Sequence, residues 1–446
     1  MKNRFLFSNW RTLTTFTLVA SLALVASGCS LRKRVGVTDP RRARISAMIP
    51  TDPGATNVPR IVRYVSAHPN HQGKICFGLV FEDNDGIPTG VMNLNEIRPG
   101  LGSRFVEFNS AGGFELAEKF ASGEERAGSD ALEYLDQNHL SEIILPPVDI
   151  TAEELATGQK VSAAMGLNFG EHKKEAGGGA SFVFPKHVVP TGAYTEVKKG
   201  PNVVRPGEAV ELLDYEVELG FVVLEDIDLS RPPRQQSELL DKLAFFVAND
   251  VSDREPIILD SERGYTRGKS LPTYLPIGPW VVHGKHLNPK TSKGGAYPLQ
   301  MITTVREAQP YEGYALNIRQ NDATTSMILG PLAIIYKIAT DYDEARMLDR
   351  EGIARGVASS TSRGPILPAG SIVLTGTPGG TAMRAPSKRD EILLFVSGWF
   401  SKKRAVGGFL RHCLTNRKEM GYLSEGDVVE SSIQQLGRQR WTVVRE

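Results

Sequence analysis

Cysteine is scarce in this chain: Cys29, Cys76 and Cys413 are three residues among 446. So few thiols cannot make a disulfide framework, so the fold must rest on an apolar core. A Cys76–Cys413 bridge is permitted in an exported chain, but Cys76 sits in the apolar run 75–81 and reads as a buried thiol. Net charge is scarce too. The 52 Lys and Arg against 51 Asp and Glu leave +1, which gives no basic field for nucleic acid. The apolar stretch at residues 12–25 is too short to span a bilayer comfortably. No internal repeat is evident, which argues against a solenoid.

What is present begins with an export signal. Lys2, Arg4 and Arg11 precede the apolar stretch, and Ala26-Ser27-Gly28-Cys29 closes it. Small residues directly before a cysteine read as a lipoprotein signal over residues 1–29, with Cys29 lipidated after cleavage. Ala26 stands where Leu is commoner. The expected location is the cell envelope, membrane-anchored through the lipid, and periplasm-facing if the cell is Gram-negative. Residues 30–58, basic and then rich in Pro, Gly and Thr, read as a tether.

Residues 59–150 read as a small N-terminal domain, with strand-like runs at Ile61–Val65 and 76–81 and a more helical stretch at 114–134. Pro146-Pro147 marks its boundary. Residues 160–446 alternate short apolar runs with Gly/Pro turns, the pattern of a sheet-rich domain rather than of βαβ units. Residues 326–339 form its clearest helix. The class expected is mainly β with α/β elements.

Residues 215–223 (YEVELGFVV) are rich in β-branched and aromatic side chains and predict a strand. Strand side chains alternate between faces, so Glu216 and Glu218 share one face. A third carboxylate, Asp250, ends the apolar run 243–248. Three carboxylates suit a hard divalent cation, Mg²⁺ or Mn²⁺, with Ca²⁺ as a further candidate. The plainer alternative is that Glu216 and Glu218 form the wet face of an edge strand.

The surrounding residues decide between them. Ala248-Asn249-Asp250-Val251-Ser252-Asp253-Arg254 resembles the A-N-D-x-S-x-R segment of the fumarylacetoacetate hydrolase family. Gly268-Lys269-Ser270, Pro276-Ile277-Gly278-Pro279-Trp280, Arg319-Gln320 and Leu374-Thr375-Gly376-Thr377-Pro378 follow in the family's order. Gly166-Leu167-Asn168 with His172 and Glu175 is similar to its G-L-N-Y-x-x-H-x-x-E segment. The resemblance implies a mixed β-roll or β-sandwich catalytic domain behind a small N-terminal domain, commonly a homodimer. It implies Glu216, Glu218 and Asp250 as metal ligands and His172 as the base for water, oriented by Glu175. It also implies Lys269 on a substrate oxyanion, with Arg254 and Thr377 as substrate contacts. For Arg254 the alternative of bracing Asp250 is favoured.

Two positions depart from fumarylacetoacetate hydrolase proper. Met165 stands where that enzyme has a fourth metal carboxylate, and Ile257 where it has a polar substrate contact. The chain therefore resembles the acylpyruvate-hydrolase branch, and the expected reaction is metal-dependent hydrolysis of a C–C bond in a small 2-oxo acid. Decarboxylation, isomerisation or hydration of 2-oxo or 2-hydroxydienoate acids is the alternative, and a non-catalytic ligand-binding lipoprotein is a third reading. Residues 385–420 read as an insertion. From Arg384 to Lys418 nine Lys and Arg face two acids, Asp390 and Glu391, a local +7 set among Trp399, Phe400 and Phe409. That composition fits either a membrane-facing segment or an arm packed on the core.

Overall fold

A computed structural model describes residues 58–260, 264–308, 317–347, 365–386, 396 and 401–446. The signal and tether, with Cys29, and most of 385–400 lie outside the described residues. Two sheets make the core of residues 160–446. The first has six strands in the order Val282–His283, Leu243–Asn249, Val217–Val223, Ile372–Leu374, Ser162–Gly166 and Phe182–Pro185. Its strands VELGFVV and LAFFVAN are buried on both faces, which is why they read as unbroken apolar runs. They pair antiparallel with Gly220 opposite Phe246. A Cβ on Gly220 would meet the Phe246 ring at 2.2 Å, so glycine is required there.

The second sheet has five strands in the order Asn317–Ala323, Gln300–Arg306, Val428–Ile433, Gly437–Arg445 and Tyr194–Lys199. The two sheets share one apolar cluster, with Met301 and Ile433 packed among Val217, Leu219 and Val247. Buried amides pin one sheet to the other. Asn249 donates to Ser431 Oγ at 3.0 Å and Gln439 to Val247 O at 2.8 Å. The expected mainly-β sandwich core with helical elements is what the chain forms.

Ahead of it, Ile61–Val65, Ile75–Asn84, Ile87–Asn93 and Leu132–Tyr134 make a four-stranded antiparallel sheet. Ile61 exchanges both backbone hydrogen bonds with Val281, joining this sheet to the two-sheet core. The helical expectation for 114–134 holds only to Ser122. Gly123 at φ +78° ends the helix Gly113–Ser122, and Leu132–Tyr134 becomes an edge strand instead. Similarly, the helix expected from 326 starts at Pro331 and runs to Met347. Proline is well placed at a first helical position because its missing N–H has no partner to lose. Cys76 and Cys413 are both buried free thiols in separate apolar clusters. Among the described residues no helix is long and apolar enough to cross a membrane.

Candidate metal centre and cleft

The strand predicted from Tyr215 begins at Val217, and the break creates the site. At Glu216 the backbone leaves the ladder: its N–H donates to Asn249 Oδ1 at 3.0 Å, and its carbonyl accepts from Asp250 N at 2.9 Å. Glu218, within the strand, lies opposite Ala248. As a result one oxygen each from Glu216, Glu218 and Asp250 lies within 4.8 Å of the others. All three are buried on an interior strand and its neighbour, so the reading as the wet face of an edge strand fails.

Three cations surround these acids. Lys269 Nζ lies 2.6 Å from Glu216 Oε2 and 2.7 Å from Asp250 Oδ2. Lys186 Nζ donates to Asp250 Oδ1 at 2.6 Å and to the Lys269 carbonyl at 2.5 Å. Arg254 donates to Glu216 Oε1 at 2.5 Å and to Asp214 Oδ2 at 2.8 Å. Arg254 therefore braces Glu216, and the bracing expected at Asp250 is supplied by the two lysines. Asp214 is itself fixed by the N–H groups of Ala382 and Met383.

The buried acids Asp214, Glu216, Glu218 and Asp250 thus outnumber Lys186, Lys269 and Arg254 by one. Glu218 is the acid without a basic partner. Its Oε2 accepts from Gly376 N at 2.6 Å, while Oε1 is buried with no hydrogen-bond partner. Burial, then repulsion from Asp250 and Glu216, pushes its pKa well above the usual carboxylate range. Burial would do the same to Glu216, but Arg254, Lys269 and His172 outweigh it and hold that carboxyl far below the usual range. Burial opposes the charge on Lys269, yet Asp250 and Glu216 prevail and its pKa is raised. An orphaned carboxylate oxygen inside a set of hard oxygen donors fits a divalent cation.

The cleft opens beside this cluster, and His172 lines it. The helix Gly170–Glu175 carries both members of the expected dyad. His172 Nδ1 is 3.9 Å from Glu175 Oε2 and has no hydrogen-bond partner, while Nε2 is 4.0 Å from Glu216 Oε1. Glu175 instead accepts from Gly380 N at 2.9 Å and from Arg384 at 2.8 Å. Burial works against the Glu175 charge, but His172, the Gly380 N–H and Arg384 outweigh it and lower its pKa. The pair is adjacent rather than hydrogen-bonded. Gly177, Gly178 and Gly179, at φ +84°, +89° and +125°, follow the helix and supply turns that other residues resist.

Thr377 also lines the cleft, but its hydroxyl is engaged: it donates to Val217 O at 2.9 Å and accepts from Gln320 Nε2 at 2.8 Å. Gln320 Oε1 in turn accepts from Val217 N at 3.0 Å, locking the turn to the acidic strand. Asn168 does the same from the other side, donating to Thr375 O at 2.7 Å. Reading the sequence for carboxylates and histidine missed Lys186 and Asp214. A lysine after Phe182-Val183-Phe184-Pro185 was the one available signal for a buried cation, since apolar flanks place it in the core.

This is a two-sheet fold with a buried acidic triad at the mouth of a cleft. The family model for the fumarylacetoacetate hydrolase C-terminal domain matches residues 162–444, and the chain belongs to that family. A relative from Burkholderia multivorans, named "Putative hydrolase", is 40% identical over 208 residues, 42% of this chain and 68% of that protein. Another, from Burkholderia cenocepacia, is 40% identical over 126 residues, 26% of this chain and 39% of its own length. The fumarylacetoacetate hydrolase of Exiguobacterium antarcticum has a similar fold, with a TM-score of 0.51 and 18% identity over 87% of this chain and all of that one.

Proposed function

We propose that the chain is a divalent-metal-dependent hydrolase that cleaves the C–C bond of an acylpyruvate. The observation that carries this reading is the orphaned Glu218 Oε1 within the Glu216–Glu218–Asp250 triad, beside a cleft lined by His172 and Lys269. Glu216, Glu218 and Asp250 would hold Mg²⁺ or Mn²⁺. Such an ion polarises a carbonyl and stabilises the enolate charge that develops on C–C cleavage. Adding a divalent cation to the buried count of four acids and three bases gives net +1, a charge suited to an anionic 2-oxo acid.

The chain's own groups supply the rest. His172 takes a proton from water, whose oxygen bonds to the acyl carbonyl carbon. The C–C bonding pair then leaves with the methylene carbon, which receives the proton, giving a carboxylic acid and pyruvate. Glu175 lies beside Nδ1 and would orient the ring once they close to hydrogen-bond distance. Lys269 and Arg254 hold Glu216 ionised and in place. The N–H of Gly376, on the same turn as Thr377, keeps Glu218 aimed at the triad.

The test is an assay of purified protein on acylpyruvates and oxaloacetate, with and without EDTA. Stoichiometric pyruvate and carboxylic acid from acylpyruvates, abolished by EDTA and restored by Mg²⁺ or Mn²⁺, is the expected result. Carbon dioxide from oxaloacetate with no acylpyruvate cleavage would instead mark a decarboxylase.

A further inference from the structure

The cleft lining divides into a charged set and an apolar set, and two short helices carry one of each. On Arg254–Leu259, Arg254 turns to the carboxylates and Ile257, three residues on, is an apolar lining residue. On Gly264–Lys269, Lys269 bridges the acids while Tyr265, four residues earlier, lines the cleft and packs edge-on against Phe182 at 4.8 Å. Met165, Leu167, Ala176, Phe184 and Met383 complete the apolar lining. His172, Glu216, Arg254 and Lys269 are the charged or titrating side chains of the lining besides Tyr265, whose phenol is pushed up by burial.

Behind Ile257 and Met383 stands a helix with no part in the metal centre. Lys402–Thr415 buries Ala405, Phe409 and Cys413, spaced four apart on one stripe, while Lys403, Arg404 and Arg411 face solvent. Phe409 and Cys413 share an apolar cluster with Ile257, Ile258, Met383 and Tyr422, and Tyr265 packs against it. The described part of the basic 385–420 segment is thus an arm packed on the cleft, and its charges are the solvated face of that arm.

We infer that the apolar lining is the seat of the substrate's acyl substituent, and that the helix Lys402–Thr415 sets its depth. The substrates are then acylpyruvates ending in an uncharged alkyl or aryl group. This inference rests on the hydrolase reading above and narrows it. A terminal carboxylate against Ile257, Tyr265 and Met383 would lose its water, and the basic lining residues Arg254 and Lys269 are already held by Asp214, Glu216 and Asp250. An added methylene buried there favours binding about fourfold, until the chain reaches the backing helix.

The experiment is a series of kcat/KM values in Mg²⁺ on acetyl-, butanoyl-, pentanoyl- and octanoylpyruvate, with succinylpyruvate as the carboxylate-ended member. For the wild-type chain kcat/KM should climb about fourfold per methylene and then drop, with succinylpyruvate at least tenfold below pentanoylpyruvate. Phe409→Ala should move the optimum to longer chains and leave acetylpyruvate unchanged. Phe409→Leu, a smaller cut, gives the same direction should the alanine variant fail to fold. Equal rates on succinyl- and pentanoylpyruvate would overturn the apolar seat. A folded Phe409 variant with an unshifted chain-length profile would overturn the part given to the helix. Cleavage of no member, with metal present, would instead refute the hydrolase reading itself.

Discussion

Two buried carboxyl groups, Glu218 and Asp253, resist ionisation, in both cases first because burial penalises the charge. For Glu218, repulsion from Asp250 and Glu216 adds to burial, so its folded pKa lies above the unfolded value of about 4.3. Metal-free protein should therefore lose stability as pH rises from that value toward the folded one. Glu218→Gln keeps an acceptor for Gly376 N and removes the conflict. In EDTA this variant should melt at or above the wild type, with the gap widening above pH ~5, and calorimetry across pH would read it. A variant that melts lower at pH 8 would show that the repulsion is relieved some other way.

Asp253 caps the helix Arg254–Leu259 through Glu255 N at 3.0 Å, while its Oδ2 is buried without a partner. Burial pushes its pKa up to about 7. The folded state keeps a proton that the unfolded chain releases near pH 3.9, so stability falls between about pH 4 and pH 7, by at most roughly 4 kcal/mol. Asp253→Asn should match the wild type near pH 4 and melt several degrees higher at pH 8. Identical shifts at both pH values would rule out this titration.

At the scale of elements, the helix Gly170–Glu175 brings His172 to the cleft, and the turn after Thr375 holds it there through Glu175. His172→Ala removes the proposed base and leaves the three carboxylates Glu216, Glu218 and Asp250 in place. It should cost about 10²–10⁴-fold in kcat, with metal-induced thermal stabilisation intact. Unchanged hydrolysis would move water activation to another group. His172 and Glu175 were legible through the resemblance to the G-L-N-Y-x-x-H-x-x-E segment, since their spacing of three alone suits an exposed surface pair equally well. The acidic pair was legible too, from strand alternation. What strand alternation could not give was the break at Glu216, which depends on Asn249 reaching back from the next strand. Nor could it give Lys186 or Asp214, whose roles come from long-range packing around the carboxylates. The helix Lys402–Thr415 read ambiguously because Gly407-Gly408 blurs its stripe. Burial of Phe409 and Cys413 resolves its facing.

Across the whole molecule, two sheets and the N-terminal sheet joined through Ile61 and Val281 bury the acidic strand between neighbours on both sides. That depth makes the cluster of like charges electrostatically costly while no cation neutralises it. The proposed lipid anchor concerns the same whole. Cys29→Ser should shift the protein from the membrane fraction to the soluble one, and an unchanged membrane fraction would refute anchoring through that residue.

If Glu216, Glu218 and Asp250 jointly hold one divalent cation, anomalous diffraction from crystals grown with Mn²⁺ will locate it. One peak per chain is expected, coordinated by all three carboxylates, with Lys269 Nζ displaced from between Glu216 and Asp250 or bonded to only one of them. An anomalous map without a peak there at saturating Mn²⁺, with Lys269 still bridging both acids, would contradict joint binding by the three carboxylates.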